Sequence, residues 1–231
     1  PCARGGRRRT RALWSGAAYA YLHYYKVPLY ETSASILIKD ESKGVDDSKA
    51  MESFKLLTTK KIVDNEIEVL RSSSLLDTVV RNLNLYVELY EKDRFVDRSA
   101  YESSPITVIA KNPDALGETV AVPFSFNKKG NTVIINNKQY PLNSWVNTVY
   151  GELQFKPNPY QSTDTDLPLY FTLAHPSNVT NVLSGELSVA PTSKLSTVIY
   201  LSLVSQSAKR SENILNKLLE VYNKSSLEAK N

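Results

Sequence analysis

Few residues in this chain have the type and spacing that catalysis needs, and those few lie far apart. Asp164 and Asp166 form an Asp-x-Asp pair in QSTDTDLP, whereas a glycosidase sets two carboxylates across a cleft. Neighbours in a polar loop face water instead. His175 precedes Pro176 at a strand end and His23 lies in an apolar run, neither with a cysteine or second histidine beside it to share a metal. Asp40, Glu41, Asp46 and Asp47 in DESKGVDDSK lack the Asp-x-Asp-x-Asp-Gly spacing of a calcium loop. No Gly-x-Ser-x-Gly elbow, phosphate loop or dinucleotide fingerprint occurs. Cys2 is the only cysteine, so disulfides within the chain and cysteine metal clusters are excluded. The expectation is a protein that is not an enzyme, with no catalytic residue, metal ligand or cofactor.

Charge points the same way. The formal net charge is +4, but Arg4, Arg7, Arg8, Arg9 and Arg11 more than account for it and leave residues 12–231 at −1. A nucleic-acid binder carries its basic stripe on the folded body, and this body has none. Ala12 to Tyr25 is an apolar, aromatic run of fourteen residues behind those arginines. It falls short of the roughly 20 that span a bilayer. Basic residues before an apolar run fit a cytoplasmic start and an exported continuation. Residues 1–26 are therefore expected to be the remnant of a first membrane helix with an atypical basic start.

The remaining chain reads as strands and helices. Tyr30, Thr32, Ala34, Ile36 and Ile38 alternate with polar residues, as in a half-buried strand. Residues 40–49 read as a loop. In NEIEVLRSSSLLDTVVRNLNL, Val63, Ile67 and Leu70 share one helical face, and Arg71 closes that helix with a cation. The serines mark a joint, with Ser74 and Asp77 as a capping box for a second helix that buries Leu75, Leu76, Val79, Val80 and Leu83. Residues 104–111 form a strand and 118–175 are β-rich, with a tight turn at Asn136-Asn137. Residues 177–185 form a short helix closed by Gly185, followed by the strand ELSVAP. STVIYLSLVS, residues 196–205, reads as a central strand covered on both faces. Ser207 caps a last helix burying Ile214, Leu215, Leu218, Leu219 and Tyr222, with Glu220 and Lys224 paired on its wet side. The chain stops at Asn231 with helical character still present, as though cut.

This order resembles the chain-length determinant (Wzz-like, polysaccharide co-polymerase) family, in the branch associated with a cytoplasmic tyrosine kinase. YETSASILIKDE (30–41), NEIEVLRSSSLLDTVVRNLNL (65–85), GELSVAPTSKLSTVIYLSLVS (185–205) and SENILNKLLEVYNK (211–224) carry the resemblance. It runs from about Val27 to the end and loosens across 114–184. It implies an α+β fold: a membrane-proximal α/β base domain with a mixed sheet and packed helices, a β-rich variable part over 114–184, and a helix at the C-terminal end. Residues 27–231 would then be the periplasmic domain of a bacterial inner-membrane protein held by flanking membrane helices. Its implied partners are other copies of itself, a polysaccharide polymerase, an outer-membrane exporter and the nascent polysaccharide, with no nucleic acid. By motif match, Asn65, Glu66, Glu68, Arg71, Ser72, Asn216 and Tyr222 are candidate contacts between subunits. The phosphate loop that the kinase needs is absent, so no kinase activity is assigned. A different class, a carbohydrate-binding module, would use the rings of Trp145, Tyr150, Tyr160 and Tyr170.

Overall fold

The computed structural model describes residues 26–38, 49–193 and 196–228, with side chains of 49–59 excluded. Almost all of the expected membrane remnant at 1–26, and the acidic loop at 40–49 up to Lys49, lie outside the described residues. No helix among those described is long and apolar enough to cross a membrane.

The fold is α+β, with strands in three antiparallel sheets and a helix at its C-terminal end. Strand β1 (Tyr30–Leu37) is followed by helices α1 (Lys49–Leu70) and α2 (Ser73–Asn82). Then come β2 (Val87–Glu91), β3 (Arg98–Ser99), β4 (Ile106–Ala110), β5 (Thr119–Asn127), β6 (Thr132–Ile135) and β7 (Lys138–Pro141). β8 (Trp145–Thr148), β9 (Gly151–Pro157) and β10 (Leu169–Leu173) complete the β-rich middle. Helix α3 (Pro176–Glu186), β11 (Ser188–Pro191), β12 (Val198–Ser205) and helix α4 (Ala208–Glu228) end the described chain.

These elements form two cores. In the first half, β12 lies between β1 and β11, both antiparallel to it. Ile199, Leu201 and Leu203 face helices that contribute Leu70, Leu76, Val79, Leu183, Ile214 and Leu218. The expected mixed sheet is corrected here: every pairing among the described strands is antiparallel. β12 is central, yet it is not covered on both faces, because Tyr200 is 39% and Val204 46% exposed. The buried apolar residues of β12 sit against one layer of helices, as an antiparallel sheet permits.

In the second half, the sheet β3-β2-β10-β5-β6-β7 and the sheet β4-β9-β8 enclose a separate core of Tyr86, Ile106, Val122, Phe124, Phe155 and Phe171. Asn136 and Asn137, at φ 49° and 62°, make the tight turn between β6 and β7. Asn84, Asn131 and Asn143 also take positive φ.

Several local expectations are also corrected. Helix α2 starts at Ser73 with Ser72 as its N-cap, so Ser74 and Asp77 form no capping box. Asp77 lies one turn in and instead pairs with Arg81 at i+4. Gly185 lies inside α3, whose C-cap is Leu187. Arg71 stands in the turn beyond α1. Glu220 bonds Lys217 at 2.6 Å rather than Lys224, and Leu219 is only half-buried. Ser207 does cap α4, its Oγ accepting from the Arg210 N–H at 3.1 Å.

Candidate functional site

Two features of the fold are candidates for a functional surface: the outward face of α1 and a cleft between the halves. On α1, Val63 and Leu70 enter the core with Ile67 beside it. Asn65, Glu68 and Val69, at i, i+3 and i+4, point the opposite way and are exposed. Arg71 is exposed just beyond. Glu68 and Arg71 carry opposite charges three residues apart. Neither makes a side-chain bond within the chain among the described residues, and Asn65 makes none either.

The other candidate contacts divide. Asn216 is exposed on α4. Ser72, half-buried, serves as N-cap through its backbone, its C=O accepting from Leu76 N–H at 3.1 Å. Tyr222 is buried and donates to Glu66 Oε2 at 2.7 Å, tying α4 to α1. Burial and that carboxylate hold the Tyr222 phenol above its ordinary pKa, so it stays a neutral donor. Glu66 and Tyr222 are thus spent inside the chain, while Asn65, Glu68, Arg71 and Asn216 are turned outward.

The cleft, of about 710 Å³, is lined from both halves. A polar seam crosses it. Arg210 Nη2 donates to Glu88 Oε1 at 2.7 Å, and Glu88 Oε2 accepts from the Tyr90 hydroxyl. Asn213 Nδ2 donates to the Tyr101 hydroxyl at 2.8 Å, and Ser207 Oγ donates to Glu102 at 3.0 Å. Gln206 Oε1 accepts from Ser99 N–H at 2.8 Å. Glu102 thereby reaches the N-terminus of α4, where the helix dipole favours a negative charge. Burial pushes the Tyr101 phenol up to about 12 and raises that of Tyr90, which Glu88 raises further. Both hydroxyls are therefore protonated at neutral pH. Beyond the cleft, Arg81 bridges the halves a second time, donating to both oxygens of Asp114 at 2.9 Å. Its guanidinium holds the Asp114 carboxyl below the usual range.

The four rings named from the sequence do not form one surface. Trp145, on β8, is 43% exposed. Tyr150 packs edge-on against Phe171, Tyr170 stacks on Tyr90 and Tyr160 stacks on Tyr101. Of the four, Tyr160 alone lines the cleft. Asp164, Asp166 and His175 do not line it. Asp164 accepts from Gln161 at 2.9 Å in an exposed loop, and His175 caps α3 by accepting from Ser177 N–H. The cleft is not legible in the sequence, because its walls come from residues between Leu29 and Arg210 that no local pattern joins.

Comparison with known proteins adds no relative: no family model matches the chain and no curated protein matches it.

Proposed function

We propose that this chain is the periplasmic domain of a polysaccharide co-polymerase at the bacterial inner membrane. It sets the length and export of a capsular or extracellular polysaccharide by oligomeric scaffolding, without turnover. One observation carries this beyond the sequence resemblance: α1 presents Asn65, Glu68 and Val69 on the face opposite its core residues, next to an exposed Arg71. Charges of both signs that find no partner among the described residues suit a neighbouring copy bearing the same pair, because each subunit can offer an acid to one neighbour and a base to the next. Glu66 and Tyr222 then have a supporting part, fixing α1 to α4 so that the outward face keeps its orientation.

The test is genetic. The host gene is deleted and complemented with the wild type or with Glu68→Ala and Arg71→Ala together, and the polysaccharide is resolved by gel. Deletion is expected to abolish the polymer or collapse its length distribution, with the double variant reproducing that defect at normal protein level. An unchanged distribution on deletion overturns the proposal.

A further inference from the structure

The cleft has a chemical character of its own. Tyr101 and Tyr160 stack at 5.2 Å with 13° between their planes and line it from the β-rich half. The other half contributes Leu29, Val182 and Val204, each exposed by 46% or more and so leaving apolar surface at the cleft. Charge is balanced: Arg210 is matched by Glu88 at 2.7 Å, and the remaining charged lining residues are Lys156 and Glu186. An anionic ligand could use Arg210 only by taking it from Glu88 and leaving that carboxylate unpaired, and the other cation of the lining, Lys156, is offset by the carboxylate of Glu186. A wholly apolar ligand would strip water from Glu186, Lys156 and the Gln206 amide nitrogen, which have no side-chain partner among the described residues. A peptide adding a strand along β4 would find that edge capped at both ends. Ser104 Oγ bonds the N–H and C=O of Ile106, and the Tyr86 hydroxyl accepts from Ala110 N–H.

What fits is a neutral ligand with flat apolar faces and a rim of groups that both donate and accept. We propose that this cleft is a binding site for a neutral saccharide segment, seated against Tyr160 and hydrogen-bonded by Gln206, Lys156 and Glu186. Its volume lies within the roughly 300–1,000 Å³ of small-molecule sites. The chemistry follows from the cleft alone; identifying the saccharide with the polymer under length control rests on the co-polymerase proposal.

Saturation-transfer NMR on the whole 231-residue chain tests it. The probes are cellotetraose, maltotetraose, laminaritetraose and mannotetraose, with a sulfated heparin tetrasaccharide and an unstructured decapeptide for comparison. At least one neutral probe is expected to bind, and Tyr160→Ala to weaken it about tenfold or more. Val182→Trp, at a position 59% exposed on α3, narrows the cleft without touching the tyrosine stack and is expected to do the same. Trp145→Ala, outside the cleft, is expected to leave binding unchanged. Four results overturn the proposal: no neutral probe binds, the sulfated probe or the peptide is preferred, Trp145→Ala abolishes binding, or Val182→Trp leaves it intact. If polymer length depends on the gene but no neutral probe binds, the cleft proposal fails and the scaffold stands. Binding in the cleft with unchanged polymer length is the reverse.

Discussion

The two halves of this molecule bury apolar surface in different ways. In the β-rich half, two sheets close over Phe124, Phe155 and Phe171, and the outer residues of β5, such as Ala121 and Pro123, face solvent. In the helical half, aliphatic side chains fill the space between one sheet and its helices. That sheet's second face, with Leu37, Tyr200 and Val204, stays open, as does the outward face of α1. Among the described residues, only Val179 packs against both cores. Where the halves meet, the bonds are polar: Glu88 with Arg210, Tyr101 with Asn213 and Arg81 with Asp114. Polar joints of this kind gain little net stability because water competes for the same groups. The aromatic core of the β-rich half is thus closed between two sheets, whereas the helical half leaves one sheet face and one helix face exposed.

The strongest way to break that contrast is to empty one core. Phe155 is fully buried, and Phe155→Ala is expected to destabilise the β-rich half by about 3–5 kcal/mol. In a Trp14→Phe background, Trp145 fluorescence reports that half alone. Its denaturant midpoint should fall while the far-ultraviolet helix signal persists to higher denaturant. A single coincident transition in the variant would show the halves to be one cooperative unit.

A smaller effect sharpens the helical side. Tyr222→Phe removes the bond to Glu66 and should cost about 1–2 kcal/mol, seen in the helix signal and not in Trp145. Equal shifts in both probes would mean that the seam transmits the loss.

The smallest effect concerns the Arg81 bridge. Asp114 is held ionised below its ordinary range, so its contribution is present above the unfolded carboxylate pKa and fades as pH falls through the lowered folded value. Both side chains are well exposed, so the shift in urea midpoint should be slight. Arg81→Met should flatten this part of the acid limb; an acid limb identical to wild type would show that the bridge contributes nothing.

Elements with a strong period were legible beforehand. Leu75, Leu76, Val79 and Val80 recur at helical spacing and are buried, and Asn136-Asn137 turns where asparagine can adopt positive φ. Ends were less legible, because Ser72, Ser73 and Ser74 are equivalent as capping residues and only packing selects the first turn. The one-sided burial of β12 escaped for a related reason. Val198, Tyr200 and Val204 are apolar whether or not anything covers them. Among candidate contacts, Glu66 and Tyr222 could not be told from Glu68 and Arg71, since their bond spans 156 positions in the chain. Tyr160 is legible as an aromatic in a β-rich stretch, but its place in the cleft depends on Tyr101, Arg210 and Gln206 converging through tertiary structure.

The left-handed asparagines at 84, 131, 136, 137 and 143 have a consequence outside the folded state. Glycine would hold the same turns with less strain, but each glycine would widen the ensemble of the denatured chain. With asparagine there, less disorder is surrendered when the hairpins close. Four of the five lie between β5 and β8, in the half that closes on itself, where short loops join one strand to the next.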